Sequence, residues 1–155
     1  MLEITHVTGE ADLAHVRELF LAYADWIAVD LSFQDFEKEF AGLPGDYAPP
    51  TGCLLLALSD GKPAGCIALR KLEDEVCEMK RLYVLPEFNG LGLGRKLAEA
   101  IIVEAKQLNY VKMRLDTMPK MIAAQKLYHS LGFKEISPYR FNPVEGTVYM
   151  ELYLK

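Results

Sequence analysis

"YVLPEFNGLGLGRKLAEAIIVEAK", residues 83–106, decides the fold. It begins at the end of an apolar run, passes through Gly90, Gly92 and Gly94, and meets Arg95 and Lys96 at once. Leu93, Leu97, Ile101 and Ala105 then recur at helical spacing, which predicts a helix over about 93–107. A glycine-rich turn that opens a helix exposes backbone N–H groups with no intrahelical acceptor. The helix dipole adds partial positive charge there, so the place suits an anion, phosphate above all. Two nucleotide signatures fail. A P-loop needs Lys-Ser/Thr after its last glycine, but Gly94 is followed by Arg95, Lys96 and Leu97. A GxGxxG fingerprint from Gly90 would need glycine where Arg95 stands.

Upstream, CLLLALS (53–59), AGCIALRK (64–71) and VCEMKRLYV (76–84) are three strand-like runs. Asp60-Gly61 joins the first two as a hairpin turn, because both turn positions favour positive φ. Further back, LEITHV (2–7) alternates as a strand, and Leu13, Val16, Phe20, Tyr23 and Ile27 mark a helix over roughly 10–28. Ser32 and Asp35 resemble a capping box for a second, shorter helix with Phe33, Phe36 and Phe40 on one face. It ends in GLPGDYAPPTG, whose prolines oppose regular structure.

Downstream, YVKMRLDT (110–117) is a strand. Thr117 is placed to cap the next helix, with Pro119 in its first turn, Ala123, Leu127 and Leu131 as its buried stripe, and Gly132 just past its end. FKEIS and TVYMELYL close the chain as strands around PYRFNPVEG. The order predicts one α+β domain over residues 1–155: a mixed, mostly antiparallel, twisted sheet of about seven strands with helices on both faces.

The net charge of −5 opposes nucleic-acid binding, which needs a basic face. No apolar run approaches the ~20 residues of a membrane span, and the N-terminus lacks a signal-peptide pattern, so no membrane association and a cytoplasmic location are expected. Cys53, Cys66 and Cys77 sit in apolar strands without CxxC spacing and are expected as small core side chains. His6, His15 and His129 are scattered, and no metal is expected.

The segment NGLGLG (89–94) resembles the [QR]-x-x-G-x-[GA] pyrophosphate loop of the GNAT-type N-acetyltransferases. The likeness extends through EMKRLYVLPEF (78–88) and RKLAEAIIVEA (95–105). A second family motif follows the next strand, in LDTMPKMIAAQKLYHSLGFKEI (115–136) with its A-x-x-L-Y-x-x-L-G-F ending. Two departures stand out: Asn89 where Arg or Gln is usual, and Met121 where Asn is frequent.

The resemblance implies an acyl-CoA N-acyltransferase fold and transfer of an acetyl group from acetyl-CoA to a primary amine within a ternary complex. In such a fold the third meander strand splays from the strand after the glycine helix, and pantetheine lies in the gap. Leu82, Tyr83 and Val84 would then pair with pantetheine. Asn89, Gly90, Leu91, Gly92, Leu93, Gly94 and Arg95 would hold the diphosphate. Tyr128 would be the acid that protonates the departing thiolate. Glu78 is the candidate base, since a period of two places it on the same strand face as Leu82. Cys77 is a less favoured candidate for a covalent acetyl carrier. Arg70 and Arg81 are candidate partners for an acceptor carboxylate. The aromatics Tyr23, Trp26, Phe33, Phe36 and Tyr47, with loop 137–142, are expected to frame the acceptor cleft. Small polar amines, amino acids, polyamines and protein amines remain open as acceptors, and a homodimer through the outer strands is compatible with the pattern. Two other functions fit the glycines: an acyl-CoA-binding module that transfers nothing, and an unrelated nucleotide binder.

Overall fold

The computed structural model describes residues 1–27 and 36–155. Strands β1 (Leu2–His6), β2 (Cys53–Ser59), β3 (Lys62–Glu73), β4 (Val76–Val84), β5 (Lys112–Thr117), β6 (Lys134–Ile136) and β7 (Val148–Tyr153) form one sheet. The spatial order is β1-β2-β3-β4-β5-β7-β6. Every neighbouring pair is antiparallel except β4 and β5. Helices α1 (Gly9–Ile27) and α2 (Phe36–Ala41) lie on one face, and α3 (Leu93–Gln107) and α4 (Ile122–Leu131) on the other. This is the mixed, mostly antiparallel α+β fold expected from the sequence. The proposed cap Ser32, Asp35 and Phe33 lie outside the described residues.

Local chemistry explains the elements that match. Asp60 and Gly61 both take positive φ, 50° and 80°, and turn β2 into β3. Gly132 ends α4 at φ 101°. The proline-rich loop, expected to be irregular, carries one 3-10 turn at Gly45–Tyr47. Helix α4 starts later than expected. Thr117 does not cap it; its hydroxyl donates to Met121 Sδ, and Met118 to Met121 forms a turn before the helix. Pro119 sits in that turn, ahead of α4 rather than inside it.

Between the pairs Cys66↔Tyr83 and Ala68↔Lys80, β4 spends two residues where β3 spends one. This is a β-bulge, and Arg81 adopts φ 58° within it. The bulge reverses the alternation of β4. Cys77 and Met79 face α3 before it, and Leu82 and Val84 face α3 after it. Glu78 pairs with Arg70 in register, and Lys80 with Ala68, on the α1 side. Glu78 and Leu82 are therefore on opposite faces, contrary to the period of two.

Gly65 of β3 lies opposite the end of β4. A Cβ there would stand 2.7 Å from the Tyr83 carbonyl oxygen. Gly65→Ala should cost about 1–3 kcal/mol of stability through overpacking. A urea midpoint equal to that of the unsubstituted chain would refute the close approach of these strands.

Candidate active site

β4 and β5 pair only over Val76↔Lys112, Cys77↔Met113 and Glu78↔Arg114. Beyond Glu78 the strands diverge, and the β5-facing edge of β4 is left open. The wedge between them contains two adjoining cavities that share Trp26, Leu82, Met121 and Ala124 as walls.

The larger cavity holds about 420 Å³. Leu82, Tyr83 and Val84 form one wall, Ala123, Ala124 and Leu127 of α4 the other, and Asn89, Gly94 and Arg95 its end. Ala123 is exposed toward this space, so the core-facing stripe of α4 keeps the expected Leu127 and Leu131 and adds Ala124 and Tyr128. Gly92 is the N-cap of α3 at φ 72°, with no side-chain cap. Gly90 takes φ 86°, and neither glycine has a neighbour within 4 Å of an added Cβ. Their need for glycine is conformational. Gly94 differs: its Cβ would meet only Leu127 Cδ2, at 4.0 Å. The fold has room for a side chain there, so glycine at this position keeps the cavity open. The first amides of α3 have no intrahelical acceptor and face this end. Leu91 is half exposed, whereas the Leu93 side chain is in the core and only its backbone is available. Arg95 donates to Ser130 Oγ and lies 3.8 Å from Glu99, beside the cavity.

The smaller cavity, about 60 Å³, is bounded by Lys80, Arg81, Leu115, Asp116 and Tyr128, with Tyr23 and Trp26 across from them. Tyr128 is 6% exposed and packs on Phe133 with ring centroids 5.6 Å apart. Burial, reinforced by Tyr23 and Asp116, raises its pKa well above 10.0, so it carries its proton at neutral pH. Tyr23 and Trp26 both pack against Tyr83 at 6.0 Å. Both line the smaller cavity, whereas Tyr47 is buried in the α1-side core.

Glu78 is 1% exposed. Arg70 Nε donates to Oε1 at 2.9 Å, Tyr139 donates to Oε2 at 2.7 Å, and Arg140 Nη2 also donates to Oε2. Burial alone would raise its pKa, but Lys80, Arg140 and Arg70 together hold it below the ordinary 4.5. The carboxylate is thus committed to three donors, and it fastens loop 137–142 to the sheet. Arg81 is likewise held, through Nε to Glu39 Oε2 at 2.8 Å and Nη2 to Oε1 at 3.1 Å. Its guanidinium lies 5.3 Å from the centroid of the Phe36 ring. The Glu39 partner of Arg81 and the bonds of Tyr139 and Arg140 to Glu78 are not legible in the sequence, because they span 42, 61 and 62 residues.

Glu78→Gln should destabilise the protein by about 3–5 kcal/mol at pH 7, because it removes the buried carboxylate that Arg70 and Arg140 share. A carboxyl with depressed folded pKa contributes stability above its ordinary pKa and loses it as pH falls through the folded value. The gap in urea midpoint between the two proteins should therefore close below about pH 4.5. A gap constant from pH 7 to 3 would contradict this.

The cysteines are all buried. Burial pushes the Cys77 thiol up to about 12, and its S–H donates to the Lys112 carbonyl, so it is no poised nucleophile. His6, expected to stand apart, meets two potential metal ligands. Its Nε2 is 2.8 Å from Glu104 Oε1, and its Nδ1 is 3.7 Å from Cys53 Sγ. Among the described residues, no helix is long and apolar enough to cross a membrane.

A seven-stranded sheet with a wedge at its one parallel pair and a glycine-opened helix beneath defines an acyl-CoA N-acyltransferase fold. Residues 13–133 match the acetyltransferase (GNAT) family, and the chain belongs to that family. It is 39% identical to an uncharacterized N-acetyltransferase of Schizosaccharomyces pombe, over 97% of this chain and 94% of that one. It is 36% identical to the N-acetylaspartate synthetase of Homo sapiens, over 77% of this chain but 38% of the relative. The crystal structure of a putative acyl-CoA N-acyltransferase from Klebsiella pneumoniae superimposes with a TM-score of 0.80 at 29% identity, covering 100% of this chain and 99% of the other.

Proposed function

We propose that the protein transfers the acetyl group of acetyl-CoA to a primary amine by direct attack in a ternary complex. The amides from Gly90 to Arg95 hold the diphosphate, with Asn89 beside them. Pantetheine lies along the open edge of Leu82, Tyr83 and Val84, and the thioester reaches the small cavity at Tyr128. The adjacency of the two cavities, which share Trp26, Leu82, Met121 and Ala124 and extend from the mouth of α3 to the Tyr128 ring, carries this proposal.

An alkyl ammonium has a pKa near ~10 and must lose a proton before it attacks. Asp116, the carboxylate that lines the same cavity as Tyr128, takes that proton directly or through water. The amine nitrogen bonds to the thioester carbon, the C–S bond breaks, and sulfur leaves with the electron pair. Tyr128 gives its proton to that thiolate and recovers one from the nitrogen by way of the cavity. The products are an amide, free CoA thiol and one proton released to solvent. Glu78, expected as the base, is assigned here to positioning: its carboxylate has low basicity and three donors already.

Thiol release from acetyl-CoA, followed over a panel of amines, tests the proposal. Thiol release that depends on an amine supports it. Binding of acetyl-CoA, seen as a rise in Tm, with no thiol released by any amine would replace it with a non-catalytic acyl-CoA-binding module.

A further inference from the structure

Four cations stand around the narrow end of the wedge, Lys80 and Arg81 buried and Arg70 and Arg140 half-buried, and carboxylates among the described residues pair with only three of them. Arg81 has Glu39, while Arg70 and Arg140 share Glu78. Lys80, between them on β4, is 7% exposed. Among the described residues no carboxylate pairs with its ammonium, although Glu78 is near enough to act on it through space. Burial and the adjacent guanidinium of Arg81 lower its pKa to about 8, which leaves it mostly charged at neutral pH.

An ammonium withdrawn from water is costly unless an anion faces it. Lys80 lines the cavity of about 60 Å³ together with Tyr128 and Asp116, so a counter-ion can arrive only with a ligand that enters there. The diphosphate of the cofactor does not qualify, since the amides that suit it are at the far end of the larger cavity. The anion therefore belongs to the acceptor. A cavity this small suits a carboxylate on a few carbons. Asp116, half-buried and held on its side chain, among the described residues, only by the Asn142 amide at 3.4 Å, supplies the opposite charge on the same walls. One site thus offers a seat for an anion and another for a cation.

We propose that the acceptor is a small amino acid, its carboxylate paired with Lys80 and its amine held toward Asp116 near Tyr128. This rests on the acetyl-transfer function above and narrows its substrate to amines that carry a carboxylate.

The test compares amino acids with their own decarboxylated amines: glycine with methylamine, alanine with ethylamine, histidine with histamine, arginine with agmatine. The amino acid of at least one pair should be acetylated with kcat/KM about 10²-fold higher, the scale of losing one partner of a buried charge pair. In Lys80→Met that ratio should collapse toward one, mainly through KM. Without ligand, Lys80→Met should keep or raise Tm, because it removes an unmatched buried charge. Preference for the decarboxylated amines, or equal loss on both members of a pair in Lys80→Met as expected of a proton-accepting lysine, would overturn the proposal and leave acetyl transfer standing. So would a Tm several degrees lower in Lys80→Met, which would mean that Lys80 already has its partner within the protein. Acetyl-CoA binding without turnover on any pair would likewise end it, and the wider amine panel would then decide whether acetyl transfer survives.

Discussion

Gly94→Glu is expected to weaken acetyl-CoA binding at least ~10²-fold while leaving the fold as stable as before, or more so. The two effects have opposite signs for physical reasons. Gly94 lies in the first turn of α3, where a carboxylate is favoured by the dipole and glutamate is a better helix former than glycine. Its Cβ would approach only Leu127 Cδ2, at 4.0 Å, so the chain accommodates the substitution without shifting backbone. The same Cβ opens onto the cavity of about 420 Å³, where the diphosphate is proposed to lie. A carboxylate about 4 Å from each phosphate costs ~1 kcal/mol per charge in water and ~4 kcal/mol at the reduced dielectric of a protein surface. It also fills the space. Gly94→Ala isolates size from charge and should weaken binding far less. Calorimetry with acetyl-CoA and the Tm of the free protein measure the two effects separately. If Gly94→Glu binds acetyl-CoA like the unsubstituted chain, the diphosphate is not at the mouth of α3.

The parts of this fold legible in the sequence are those fixed by neighbours along the chain. Cys53–Ser59 and Leu93–Gln107 are bounded where pattern and turn chemistry place them, because Asp60-Gly61 and the glycines at 90–94 act locally. The bulge in β4 was not legible. A glycine with positive φ would have announced it, but Arg81 occupies the position, held by Glu39 and the aromatic rings of Tyr23 and Phe36. Those contacts come from distant segments, and they hold a φ that arginine seldom adopts. One undetected extra residue then reversed the predicted face of Glu78. The same limit hid Lys80. Within VCEMKRLYV it looks like an ordinary solvated lysine, and only the stacking of α1 over that face makes it a buried charge. Ala123 erred the other way: its apolar character suits a cleft wall as well as a core, and periodicity cannot tell the two apart.

Tyr128→Phe is expected to lower kcat about 10²-fold with little change in acetyl-CoA affinity. The ring projects from α4 into the core and packs on Phe133, so phenylalanine keeps the volume and the contacts. Only the hydroxyl is lost, and with it the proton proposed to reach sulfur. Burial that raises the pKa of Tyr128 would by itself make it a reluctant acid. The same burial disfavours charge on a nascent thiolate and so raises its proton affinity, which keeps the transfer matched in energy. The loss should appear in the chemical step and not in binding, so single-turnover rates must fall while the calorimetric Kd for acetyl-CoA holds. Thioesters with more acidic thiols leave without help. Against such a donor the penalty of Tyr128→Phe should shrink toward one, whereas a merely structural tyrosine would give the same penalty for every donor. A penalty independent of the leaving thiol would therefore remove Tyr128 from the chemistry and return it to the core.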